Sequence, residues 1–236
     1  MISAKERDSA YEVVQKKFER EYTGKNKTVL LRCDLRYPQF KGIEENASNQ
    51  VNQIIEKNAI MEFSKNCKEA RASIQDTIGD IPLGIEYQAW LPYSYQLTDE
   101  VTLNHKDYVS FYYTDFKWFG GAHPDTTIEG FSYNMNTGKQ ISPSDVLVLD
   151  EVGVKTYIAN EAAKLYQTTP EIYFKEEIEN LKKLDFEYGF YLTNEGVVFF
   201  FNPYMIAPYA TGVVRIDLKQ TENPQLFKAE APFHMN

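Results

Sequence analysis

The chain has 236 residues, 34 acidic and 25 basic, for a formal net charge of −9 and a pI near 5.0. Apolar residues make up 43% and charged residues 25%, the balance of an ordinary folded protein, and the length allows one large domain or two small ones without a stapling metal or disulfide. The acidic balance argues against nonspecific nucleic-acid binding and against an anionic membrane surface, because both need clustered positive charge, and it suits a basic partner.

Residues 9–23 read as a helix. Ser9 and Glu12 have the spacing of a capping box. Tyr11, Val14, Phe18 and Tyr22 form an apolar stripe, and Gly24 supplies a stop. The N-terminal segment 1–26 is therefore expected to be helical. Val29 to Tyr37 reads as a strand ended by Pro38. Residues 44–70 then read as a long helix with Ala47, Val51, Ile54, Ile55 and Ala59 on one face, Ile60 and Phe63 pointing elsewhere, and Glu44 and Glu45 at the N-terminal end where the helix dipole favours acids. Gly79, Pro82 and Gly84 mark a loop.

From Ile85 to Leu97 the odd positions are Ile85, Tyr87, Ala89, Leu91, Tyr93, Tyr95 and Leu97, while Glu86, Gln88, Ser94, Gln96 and Thr98 fill even ones. That period of two gives a strand with its odd face buried, and Pro92 implies a bulge or an edge position. A turn near Asp99-Glu100 or Asn104-His105 leads to Tyr108–Trp118, a strand aromatic on both faces and so central. Thr126–Asn134 is another strand, turned at Asn136-Thr137-Gly138-Lys139. Ser144 caps a short helical turn at 145–149. Val154, Ile158, Ala162 and Leu165 define a helix, separated by Pro170 from a second piece, Glu171–Lys183. Phe186–Leu192 and Val197–Phe201 form a hairpin, and Gly212–Leu218 is a last strand.

Strands and helices come in blocks. The expected class is therefore α+β, antiparallel sheets with packed helices, in two similar-sized subdomains at 27–118 and 119–220, with a tail at 221–236.

Metal and cofactor signals are weak. His105, His123 and His234 stand without a carboxylate or cysteine at ligand spacing, and no HExxH, P-loop or GxSxG is present, so no metal, cofactor or catalytic residue is expected. Cys33 and Cys67 match no zinc motif; they read as two free thiols, with one bridge as the alternative.

Two segments stand out as ligand-binding candidates. In Trp118-Phe119-Gly120-Gly121-Ala122-His123-Pro124, paired glycines allow close backbone approach and Pro124 holds His123 extended. The loop could present Trp118 and His123, or it could be a strand-connecting turn. In Asn202 to Gly212, prolines and tyrosines make a stiff loop, and Tyr204, Pro208 and Tyr209 lose little entropy on binding if they are not packed as a connector.

The same segments carry a family resemblance. Phe119-Gly120-Gly121-Ala122-His123-Pro124 is followed by a strand, Thr137-Gly138-Lys139, Ile141 and a helical insert. The ending is Phe186-x-x-x-Phe190-x-Leu192-Thr193-x-x-Gly196, then Pro203-Tyr204-x-Ile206-Ala207-Pro208-Tyr209-Ala210-x-Gly212. Over about residues 27–220 the chain resembles the extracellular domain of the lysozyme-sensing anti-sigma-V factors. This pair of domains of unknown function also occurs in other bacterial surface proteins, and its N-terminal half accompanies peptidoglycan deacetylases. In the anti-sigma factors this region binds lysozyme and exposes a protease site.

The resemblance implies a bacterial envelope protein, secreted or surface-attached with its leader removed, a cytoplasmic protein being the alternative. No apolar run reaches the ~20 residues of a spanning helix, and no sigma-binding region is present, so signalling is not carried over. The expected function is a non-catalytic binding module for a basic protein such as lysozyme, or for peptidoglycan glycan. The alternative is a hydrolase or deacetylase-like enzyme acting on cell-wall material through His123 beside Asp125.

Overall fold

The computed structural model describes residues 11–24, 27–42, 45–78, 91–120 and 122–233. Nine strands are described: β1 (Glu12–Thr23), β2 (Val29–Lys41), β3 (Tyr93–Asn104), β4 (Tyr108–Trp118), β5 (Asp125–Asn134), β6 (Lys139–Gln140), β7 (Gly189–Leu192), β8 (Gly196–Phe201) and β9 (Val214–Lys219). Four α-helices accompany them: α1 (Glu45–Ile78), α2 (Pro143–Val146), α3 (Glu151–Thr168) and α4 (Lys175–Asn180). The ladders run in the orders β1-β2-β3-β4-β5-β6 and β7-β8-β9. The fold is α+β. Two compact units are formed, one from Glu12–Glu100 with Tyr113–Thr127, the other from Met1–Tyr11, Val101–Tyr112 and Ile128–Asn236.

In the first unit, the helix expected at 9–23 is instead the strand β1, paired antiparallel with β2 along its whole length. Val14, Phe18 and Tyr22 are spaced by four, which places them on one face of a helix and equally on one face of a strand. The charges between them suit an edge strand, where Lys, Arg and Glu discourage pairing with another chain. Phe18 meets Phe63 of α1 edge-on at 5.7 Å, and Arg71 of α1 sits 5.1 Å from the ring centroid of Tyr22. Ser9 of the expected capping box lies outside the described residues.

Strand β2 does not stop at Pro38, which pairs with Gln15. Two residues on, Phe40 turns its N–H and C=O toward the Asn52 side chain, which accepts from the one and donates to the other at 2.8 Å each. Because N–H direction alternates along a strand, the donor that Pro38 lacks would point to that same side, away from β1, and no ladder bond is lost.

Helix α1 runs eight residues past the expected end. Its buried stripe is Ser48, Val51, Ile55, Ala59, Phe63, Cys67, Ala70 and Ile74. Phe63 thus belongs to the core face, not to a second one, and Ile60 stays 45% exposed. Since the chain passes through this helix between β2 and β3, it returns in the same direction, and the two strands pair in parallel, Leu31 with Tyr93 through Leu35 with Leu97. Tyr93, Tyr95 and Leu97 are buried and Ser94 and Gln96 are not, so the odd face is the inner one. The strand continues through Asp99-Glu100, and the turn falls at His105. The loop at Gly79–Gly84 and residues 85–90 of the expected strand lie outside the described residues.

In the second unit, β8 explains why Val197–Phe201 is apolar without alternation. Val197, Phe199 and Phe201 join the core under α3, with Val154, Ile158 and Ala162, whereas Val198 and Phe200 pack with Ile128 and Tyr191. A strand covered on both faces needs no polar side. Buried Ser110 ties the elements together: its Oγ lies 2.8 Å from Ser132 Oγ and accepts the Leu192 N–H at 2.8 Å. The short helix α2 begins earlier than Ser144. Its cap is Ser142, whose N–H donates to Asp145 Oδ2 at 2.7 Å, with Pro143 in the first turn where no N–H is needed.

Candidate functional site

The candidate residues fall in both units: Trp118 and His123 in the first, Tyr204, Pro208 and Tyr209 in the second. Trp118 ends β4, half-buried. His123 is exposed, and its Nδ1 lies 2.8 Å from the Pro124 carbonyl oxygen. A carbonyl only accepts, so Nδ1 carries the proton and Nε2 is the basic nitrogen of the neutral ring. Gly120 has φ of 81°, a left-handed turn that glycine takes without penalty; Gly121 lies outside the described residues.

The loop from Asn202 to Gly212 is fixed from both sides. Asn202 accepts the Ile128 N–H at 2.8 Å and donates to the Ile128 carbonyl at 3.0 Å. Ile206 and Ala207 are buried, and the Ile206 carbonyl accepts the Phe174 N–H at 2.9 Å. Tyr204 donates its N–H to Ala207 at 2.8 Å, closing a tight turn with Tyr204 at φ of 70°. A left-handed tyrosine is uncommon and is held here by the packing on either side. The turn pushes Tyr204 out to 58% exposure, with Met205 at 37%, and sets the Tyr204 and Tyr209 rings 6.0 Å apart at 32°. Pro208 stands half-buried beside them, and Gly212 ends the loop at φ of 72°. The sequence reading of a stiff loop and the reading of a packed connector thus both describe part of it: Ile206 and Ala207 are packed, Tyr204 and Met205 are displayed.

Sequence reasoning passed over a second feature of the same unit, a cleft walled by Phe186, Tyr188 and Phe190 and rimmed by Glu151 and Lys155. The signal was the alternation of aromatics at 186, 188 and 190.

Cys33 and Cys67 are both wholly buried in the first unit and no disulfide joins them. Among the described residues, no group of three or more His, Cys, Asp or Glu could hold a metal, and no helix is long and apolar enough to cross a membrane. His234 lies outside the described residues.

Residues 138–221 match the family model described as a protein of unknown function, DUF3298. Residues 24–126 match the model described as deacetylase PdaC. The chain is therefore PdaC-like in its first part and DUF3298-like in its second. Among solved structures, it is similar to a DUF3298-family protein of Bacteroides fragilis NCTC 9343, with TM-score 0.63 and 17% identity over 94% of this chain and 96% of the other. It is also similar to a DUF3298-family protein of Pseudomonas aeruginosa PAO1, with TM-score 0.58 and 16% identity over 97% and 99%. At those identities the likeness concerns the fold. No curated protein matches the chain in sequence. The DUF3298 match contains Tyr204, Pro208 and Tyr209, and the PdaC match contains Trp118 and His123.

Proposed function

We propose that the chain is a non-catalytic recognition module of the bacterial cell envelope that docks a basic protein, with lysozyme the partner its resemblance names. The observation that carries this reading is the pinned display of Tyr204 at 58% exposure beside Tyr209. Tyrosine and methionine are favoured at the centres of interfaces, and a side chain already ordered before binding gives up little entropy. A net charge of −9 speeds encounter with a cationic partner. The DUF3298 likeness supports the same region of the chain as the one to test.

The enzyme alternative rests on His123 and Asp125. Both are exposed, and general acid–base catalysis is most effective where the group is held against its substrate away from bulk water. The binding reading is therefore preferred. Calorimetric titration of the whole chain with hen lysozyme at low salt tests it. A saturable heat that weakens as salt is added is expected, and absence of a complex at high micromolar concentration would end the lysozyme reading.

A further inference from the structure

The cleft on the second unit has a volume of about 330 Å³ and a chemistry of its own. Phe186, Tyr188 and Phe190 occur at alternate positions of an extended segment leading into β7, so their side chains share one face. The rings are half-buried and anchored from behind: Phe186 lies 6.0 Å from Phe201, and Tyr188 meets Phe199 edge-on at 5.6 Å. Glu151 and Lys155, one turn apart at the start of α3, supply the polar rim. Tyr188 donates its hydroxyl to Glu151 Oε2 at 3.0 Å, and Lys155 Nζ lies 3.6 Å from Glu151 Oε1 and 5.4 Å from the Phe186 centroid. Burial and the Glu151 contact push the Tyr188 hydroxyl well above its ordinary range, so it remains a protonated donor.

This combination narrows the ligand. Ligand sites begin near about 300 Å³, so the cleft suits one ring rather than an extended molecule. A wholly apolar ligand would take Glu151 and Lys155 out of water without new partners. An anion would meet Glu151 and Glu187, and a cation would meet the like charge of Lys155 at the rim. What remains is a neutral ring with an apolar face and hydroxyls on its edge.

We propose that the cleft formed by Phe186, Tyr188, Phe190, Glu151 and Lys155 is a saccharide subsite that takes one neutral pyranose ring of a glycan chain. The ring's C–H face lies on the aromatic wall, and its hydroxyls donate to Glu151 and accept from Lys155. The subsite is separate in residues and in ligand from the tyrosine loop, so either can fail without the other.

The test is an NMR titration of the whole chain with the β-1,4-linked trimer of N-acetylglucosamine. Amide shifts confined to residues 151–155 and 186–190, saturating in the millimolar range or below, are expected. Glu151→Gln and Lys155→Ala should each weaken binding by about tenfold without lowering the melting temperature. Phe186→Ala could unfold the unit, so Phe186→Leu, which keeps apolar bulk and loses the flat face, should also weaken binding in a protein whose melt stays cooperative. No shifts at millimolar trimer, shifts mapping elsewhere, or equal shifts at these residues with tri-lysine would overturn the proposal.

Discussion

Arg36 grips Asp99 at two points, with Nε 3.2 Å from the carboxylate and Nη2 2.6 Å from the main-chain oxygen. Gln15 donates to the other carboxylate oxygen at 2.9 Å. The two ends of this clamp stand in different solvent. The Asp99 side chain is wholly buried, whereas Arg36 is 42% exposed. Removing the arginine strands a buried charge; removing the aspartate frees an arginine that water can reach. Arg36→Ala should therefore cost about 3 kcal/mol and Asp99→Ala about half of that. Urea denaturation measures both, and equal losses would show that the pair is not organised by burial.

The register of β3 makes a sharper comparison between neighbours. Tyr95 is fully buried, stacks on Phe63 at 5.8 Å and accepts from Asn66 at 3.0 Å, while Gln96 is half-exposed. Tyr95→Asp should cost several kcal/mol, since it buries an unpaired charge in place of a packed ring, and Gln96→Asp should stay within about 0.5 kcal/mol. Comparable losses from the two substitutions would contradict the register.

What the sequence made legible follows from how each pattern is produced. The alternation at 93–97 has one explanation, a strand with one wet face. The helical stripe at Ala47, Val51, Ile54, Ile55 and Ala59 likewise has one, because the neighbours Ile54 and Ile55 would fall on opposite faces of a strand. The spacing of Val14, Phe18 and Tyr22 has two, and only the pairing of β1 with β2 decides between them. The parallel partnership of β2 and β3 left no local mark, because it depends on the length and direction of α1. The Pro-Tyr loop was visible as composition. The saccharide cleft was not, since it needs Glu151 and Lys155 brought to residues more than thirty positions away.

The cysteines give a chemical readout of the first unit's core. Each thiol is fully buried between β2 and α1, and the neighbouring Cys33, reinforced by burial, pushes the Cys67 thiol far up, away from the reactive thiolate. In the folded protein neither should react with Ellman's reagent, and both should react once denaturant is added. Electrophoretic mobility should be the same with and without reductant. Rapid labelling of the native protein, or a mobility change on reduction, would contradict this arrangement.

Alkaline pH should unfold the protein through its tyrosines. Burial, reinforced at Tyr37 by the hydrogen bond to Glu56, raises Tyr37 from 10.0 to about 12, and burial raises Tyr133 and Tyr157 likewise. Folding thus favours the neutral phenol. The stability this contributes is fully present below pH 10 and is lost as pH rises through 12. Absorbance at the phenolate band and circular dichroism should change together across that window. Full tyrosine ionisation with the far-ultraviolet spectrum unchanged would show that these hydroxyls are open to water.

The tyrosine loop separates two contributions to binding. Exposed acids act at long range and are screened beyond about 8 Å at physiological ionic strength, so charge reversal on the surface should slow association with lysozyme and lose its effect in high salt. Tyr209 acts only on contact. Tyr209→Ala should cost about 1–3 kcal/mol through faster dissociation, with association nearly unchanged. Pro208→Ala should cost less, because Ile206, Ala207 and Asn202 still pin the loop. Tyr204→Gly should remove the exposed ring and relieve the left-handed strain together, so it should weaken binding while leaving the fold as stable as before or more so. Surface plasmon resonance with immobilised lysozyme reads both rates. If Tyr209→Ala altered only the association rate, or if Tyr204→Gly bound as tightly as the parent, the loop would be a packed connector and the contact surface would lie elsewhere.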